Sequence, residues 1–354
     1  MRAFPMITGG PLQGVLRIVL TLAALVVLDR VFPYLANEYI ARILILAGIN
    51  IILSVSLNLI NGFTGQFSLG HAGFMAVGGY LSAYFSIHAG PKILAFLGAS
   101  VADPGPAGAV VLIAALIVGA VAAAACGLLV GIPTLRLRGD YLAIATLGLG
   151  EIIRVVILNI EAVGGARGLT NIPGHTSFFW VYAVALLTIV VHWNLVHSRH
   201  GRALLAVRED EVAAESLGVP TTRYKVLAFT IGAAFAGLSG TLFGHYLLYL
   251  NPNSFGFLKS IEVVIMVVLG GMGSITGSVV AAIVLTVLPE LLRPIREYRM
   301  VIYSLLLVAL MILRPQGLFG TGEASVSALR QRVAAWSKPR GGRPAGGPGE
   351  AGTQ

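Results

Sequence analysis

The chain has 354 residues, 56% of them hydrophobic and 11% charged, against about 25% charged in an ordinary soluble domain. That composition excludes a water-soluble enzyme, and several apolar runs are long enough to cross about 30 Å of hydrocarbon at about 1.5 Å per residue. A net charge of +9 would point to nucleic acid in a soluble protein, but here the basic residues sit in short loops and a tail. There they act as topology signals and contacts to the lipid bilayer, and no nucleic-acid partner is expected.

The first apolar run, residues 12–28, is followed by Asp29, Arg30 and Val31, with no small-residue cleavage site, and reads as an uncleaved span. Further spans are predicted over 43–60, 73–90, 107–132, 141–160, 177–197 and 226–250. The uncharged stretch 43–91 holds Asn58, Asn61, Gly62, Thr64, Gly65, Gln66, Ser68, Gly70, His71 and Gly73 at membrane depth. Irregular backbone facing lipid is not tolerated, so this break must be buried in protein or line a cavity. Broken helices of transporters present free backbone groups to substrate near the midplane; alternatively the polar groups bond neighbouring helices and only permit close packing. On the first reading Asn58, Gln66, Ser68 and His71 are candidate polar points of a substrate pathway. His71 has no cluster of metal-ligand spacing around it, and the single cysteine, Cys126, lies within an apolar run, so neither a metal site nor an intrachain disulfide is expected.

Glu151 and Arg154 lie three apart on a predicted membrane helix and can neutralise each other on one face, as a structural pair or as part of a gate. Gly232, Ala236, Gly240 and Gly244 form a smooth stripe for close helix approach, which Gly127 and Gly131 repeat on a smaller scale. The partner of the stripe is open between this chain and another. From 263 to 288 the apolar run is interrupted by Gly270, Gly271, Gly273 and Gly277, and is expected to form two half-length helices meeting inside the membrane. A short final run, 300–313, stops at Arg314 and Pro315. The expectation is an all-α polytopic membrane protein of about ten transmembrane segments including broken half-helices. Both termini are placed in the cytoplasm by an excess of Lys and Arg on that side, an excess that comes from the tail. The transmembrane domain covers 1–320. The tail, 321–354, is rich in Gly, Pro and Arg from Ser337 onward and is expected to be largely disordered. Just before that, Val326, Leu329, Val333 and Trp336 have the spacing of a short surface helix or belong to a frayed linker.

The one long hydrophilic loop between spans is 198–225. Its alanines and leucines favour a helix, Gly218 supplies a left-handed stop and Pro220 prevents continuation. Glu211 and Glu215 are like charges one turn apart, only partly offset by Arg208, which points to an external partner; a solvated connector is the other reading.

Within this loop Glu211, Ala213, Ala214 and Gly218 resemble the EAA-x3-G motif of ABC importer permeases, with Val212 inserted after the glutamate. Around it, NGFTGQFSLGHAGFMAVGGY (61–80), LRLRGDYLAIATLGLGEIIR (135–154), GGARGLTNIPG (164–174), GRALLAVREDEVAAESLG (201–218), VVLGGMGSITG (267–277) and RPQGLFG (314–320) closely resemble the LivM-type branched-chain amino acid permeases. The resemblance implies a bacterial inner-membrane subunit that forms a pathway with a LivH-type permease, with two cytoplasmic ABC ATPase subunits and a periplasmic amino-acid-binding protein completing the importer. It also implies that Arg208, Glu211, Ala213, Ala214 and Gly218 lie on a coupling helix that docks on an ATPase. ATP and Mg would belong to those ATPases, since no lysine here follows a glycine and no GxxxxGK[ST] exists. Competing classes are an ABC permease for urea or small amides, and an ion-coupled secondary transporter, for which Glu151 is the only acidic residue within a span. A membrane enzyme has no recognisable nucleophile and base.

Overall fold

A computed structural model describes residues 20–30 except 22, 37–293 except 101–104, 136 and 138, and seven single positions from 298 to 317. Most of the predicted final run, residues 12–19 and 22 of the first one, and the tail lie outside the described residues. The described residues are helical, with no strand among them and a single isolated antiparallel bridge between Leu169 and Leu250.

Among the described residues, six helical segments are long and apolar enough to cross a membrane, and the chain is a multi-pass membrane protein. Helix α1, Glu38–Asn58, is buried almost all round from Ala47 onward and ends in a π-helical turn over Leu59–Phe63. An apolar helix without a polar face belongs in the centre of a bundle, and α1 packs on four later helices. After the irregular residues 64–70 comes α2 (His71–His88), which packs on later helices, followed by the short α3 (Gly90–Phe96). The outer helices are α4 (Gly105–Thr134), α5 (Asp140–Asn159) and α6 (Phe178–His197). Two short helices, α7 (Arg199–Glu209) and α8 (Glu211–Ser216), stand between α6 and the second central helix, α9 (Thr221–Leu247). Helices α10 (Phe257–Gly270) and α11 (Ile275–Leu291) are separated by four residues, Gly271 to Ser274.

The glycine stripe finds its partners within the chain. A Cβ on Gly240 would fall on the Met75 carbonyl, one on Gly237 would meet Gly119 and Ala123, and one on Gly127 would meet Ala233. Helix α9 is therefore wedged between α2 and α4 at backbone contact, the arrangement small residues permit in membrane bundles.

Two helices begin earlier than expected, for one reason. Reading α9 from Val226 and the later pair from Val263 treats Lys225, Lys259 and Glu262 as groups that must stay outside. Instead Lys225 pairs with Glu211 at 2.5 Å, and Lys259 pairs with Glu262 at 3.1 Å while donating to Asn50 Oδ1. Neutralised in this way, the charges sit inside their helices, and α9 and α10 start five and six residues sooner. With the 3-10 turn Pro252–Phe255 before it, α10 reaches the length of a full span instead of a half-helix.

Candidate functional site

The hydrophilic loop does not form one helix through Arg208 to Gly218. Asp210 is extended (φ −156°, ψ 110°), and its side chain accepts from the backbone N–H of Val212 and Ala213. An N-capping aspartate satisfies the free donors of a new helix start, so the loop becomes an elbow: α7 ends at Glu209 and α8 begins at Glu211. Helix α8 ends with Gly218 at φ 82°, the left-handed conformation that terminates helices.

The elbow sorts its side chains. Leu204, Val207 and Ala214 face inward, whereas Val212, Ala213, Glu215, Leu217 and Gly218 are exposed, with Leu217 at 84% and Val212 at 65%. Glu211 does not await an outside charge: its carboxylate holds Lys225, which is 6% exposed. A buried ammonium is tolerated only with such a partner. Lys225 is a site residue that the sequence reading missed, because it lies fourteen positions from Glu211 and no local spacing links the two.

Arg208 also turns inward. Its Nη1 donates to the Gly62 carbonyl at 3.0 Å, and its Nε and Nη2 donate to Glu209 Oε1 at 3.1 and 2.6 Å. The elbow therefore rests on the π-helical end of α1, and a cavity of about 230 Å³ lies beside it, bounded by Gln66, Leu142, Arg208, Asp210, Glu211, Lys225 and neighbouring residues.

The two breaks in the membrane helices meet at the same place. Asn58 Oδ1 accepts from Gly273 N–H and its Nδ2 donates to the Ser274 carbonyl, both at 2.9 Å. Gly270 and Gly277 are in backbone contact, and Gly271 and Gly273 have φ of 109° and 88°, conformations that a side chain would strain. The first break is thus buried against protein, and Asn58 is committed to the second break.

Within the first break, Asn61 exchanges hydrogen bonds with the Ser68 backbone, Thr146 accepts from Leu69 N–H, and Ser260 accepts from Ala72 N–H. These bonds satisfy backbone that has left the helix. His71 Nε2 lies 2.8 Å from Ser56 Oγ. Both amide atoms of Gln66, the Ser68 hydroxyl and His71 Nδ1 are buried with no hydrogen-bond partner among the described residues. Gln66 is the one of the four candidate pathway residues that reaches the cavity.

Glu151 and Arg154 stand apart from this cluster, beside the start of α10. Arg154 Nε donates to Glu151 at 2.7 Å and its Nη1 to Asn253, while the other Glu151 oxygen accepts from Phe257 N–H. The pair fastens α5 to the N-terminus of α10, where a carboxylate is favoured. No group of metal-ligating side chains occurs among the described residues.

Comparison with known proteins places this chain in a family. The family described as permease component of the branched-chain amino acid transport system matches residues 39–313. The chain is 40% identical to the high-affinity branched-chain amino acid transport system permease protein LivM of Escherichia coli (strain K12), over 84% of this chain and 74% of that protein. It is 24% identical to a probable LivM of Methanocaldococcus jannaschii over 84% and 97% of the two chains. The permease protein LivH of Salmonella typhimurium matches 40% of this chain at 36% identity. No solved structure matches the chain significantly. With three quarters of its length matched by the family and a relative at that identity, the chain belongs to the permease components of branched-chain amino acid transport systems.

Proposed function

We propose that this chain is one of two membrane subunits of an ATP-driven importer for branched-chain amino acids. It is a permease subunit and not an enzyme. The match to LivM over 84% of the chain carries the reading. The companions are a LivH-type permease, two cytoplasmic ATPase subunits that hold the ATP and magnesium, and a periplasmic amino-acid-binding protein that selects the ligand. The chain has about ten transmembrane segments, broken half-helices included, in a bacterial inner membrane, with the elbow and both termini in the cytoplasm. Residues 1–320 form the permease domain and 321–354 a cytoplasmic tail.

The elbow is the docking element, and the division of its side chains supports this. Val212, Ala213 and Leu217 form an apolar crest that the chain itself leaves exposed, while Glu211 and Arg208 hold the crest in place from behind. In alternating access, ATP binding draws the two ATPases together and moves this crest. The membrane helices then expose a central pathway to either side in turn, because the two states differ in their contacts with the elbow. A zwitterion needs only a few dipoles and an apolar wall, and the unpartnered polar atoms of Gln66, Ser68 and His71 are suited to supply them. Asn58, Gly270, Gly271 and Gly273 set the shape of the breaks beside them.

Docking predicts a clear outcome. Leu217→Asp and Val212→Asp place a carboxylate where an apolar contact forms. Loss of an interface anchor costs about 2 kcal/mol or more, so ATPase recovery with the membrane subunits should fall at least about tenfold while the two permeases still co-purify. The measurement is quantitative pull-down, followed by leucine-stimulated ATP hydrolysis in liposomes containing all five components. Wild-type recovery and stimulation in both variants would remove the elbow from the interface.

A further inference from the structure

Arg208 stands in the last turn of α7, two residues before the Asp210 break, so reorientation of α8 acts directly on its backbone. Its side chain does not lie in open solvent but runs through a slot made by three glycines from two distant segments. A Cβ on Gly65 would come within 2.9 Å of Arg208 Cγ, and one on Gly273 within 2.9 Å of Nη1, while the Gly62 carbonyl accepts from the same nitrogen. Gly65 and Gly273 have φ of 69° and 88°, so the slot depends on glycine for its backbone path as well as for its width. Gly62 in turn lies against the Gly273 backbone, and Asn58 accepts from Gly273 N–H at the same point. One guanidinium thus touches both membrane breaks and, through Glu209, its own helix.

We propose that Arg208 is a positioning residue that bolts the elbow to both helix breaks, so that a displacement imposed on the elbow moves the Gly62 and Gly273 segments together. This rests on the docking role proposed above and adds where the force goes after docking. Arginine suits the task because its planar fork donates in several directions at once, to the Gly62 carbonyl and to Glu209. A lysine carries the same charge on a single nitrogen and cannot keep that geometry. The charge is needed less than the fork, which separates this role from a general electrostatic one.

The test uses the assembled complex in liposomes, with leucine as the probe. Among complexes that retain both ATPases, Arg208→Lys should lower the leucine taken up per ATP hydrolysed at least about fivefold, the lower end of allosteric coupling. Failure of docking itself would instead show as lost ATPase recovery, so the two readings fail differently. A second measurement reads geometry instead of uptake. Spin labels at Ala206 and Met272, both exposed, in a chain without Cys126, should report one unchanged distance between nucleotide-free and ATP-trapped complexes if elbow and break move as a unit. In Arg208→Lys that distance should shift and broaden on trapping. Wild-type uptake per ATP in Arg208→Lys, or a Ala206 to Met272 distance that changes on trapping in the unsubstituted protein, would overturn the proposal.

Discussion

Replacing Gly240 by leucine should abolish recovery of a monodisperse folded protein, and even Gly240→Ala should lower the thermal midpoint in detergent. A Cβ at this position would fall on the Met75 carbonyl oxygen and stand 2.9 Å from the Gly79 backbone nitrogen. Neither group can rotate away, so α2 and α9 must separate along their length. In a membrane the lipid tails are as apolar as the side chains, and close backbone packing supplies much of what holds helices together. Overpacking by a methylene in a tight core costs about 1–3 kcal/mol, which sets the scale for alanine; leucine adds volume that the wedge cannot take. The paired control is Gly148→Ala on α5, where an added Cβ meets nothing within 4 Å. That substitution should be neutral or favourable by up to about 1 kcal/mol through helix propensity. Fluorescence-detected gel filtration across a temperature series gives both results, and equal midpoints for Gly240→Leu and wild type would refute the wedge.

Asn58→Leu should loosen the junction between the two breaks. The side chain is nearly the same size, but Gly273 N–H loses its acceptor in a fully buried position, at a cost of about 1–3 kcal/mol. The Ser274 carbonyl is less affected, since Ser278 still donates to it from both its backbone and its hydroxyl. Asn58→Asp is informative in a different way. It keeps an acceptor for Gly273 but turns a carboxylate oxygen towards the Ser274 carbonyl, in a site with no exposure and no cationic partner among its hydrogen bonds. Both variants should open the Gly271 to Ser274 segment. The check is maleimide labelling of a cysteine placed at Ile275, which is 1% exposed, in a background without Cys126. Labelling should be slow with Asn58 present and faster in both variants, and the same slow rate in all three would mean that Asn58 does not hold the junction. Uptake of leucine by the assembled importer should fall in step with labelling if the junction is part of the moving machinery.

Most of the helices and their interruptions are fixed locally. Apolar runs of the length of a bilayer, bounded by glycine, proline or charge, locate α1, α4, α5 and α6 to within a few residues, because hydrocarbon selects for length and composition, and both are local. The glycine stripe on α9 and the breaks near residues 62 and 273 are legible for the same reason, and so is Gly218, whose left-handed conformation few other residues adopt. Beyond i, i+3 pairs such as that of Glu151 and Arg154, the polar groups that meet are set by how the helices fold against one another. Asn58 and Gly273 are 215 positions apart and Arg208 and Gly62 are 146 apart, and no periodicity carries information over such distances. Hence Arg208 and Glu211, which in isolation look like surface charges awaiting a partner, turn out to be internal supports. Lys225 and Lys259, which hydropathy assigns to water, enter their helices because a carboxylate neutralises each of them. Burial of a charge is settled by the free energy of its pairing, and that depends on where the rest of the chain has folded.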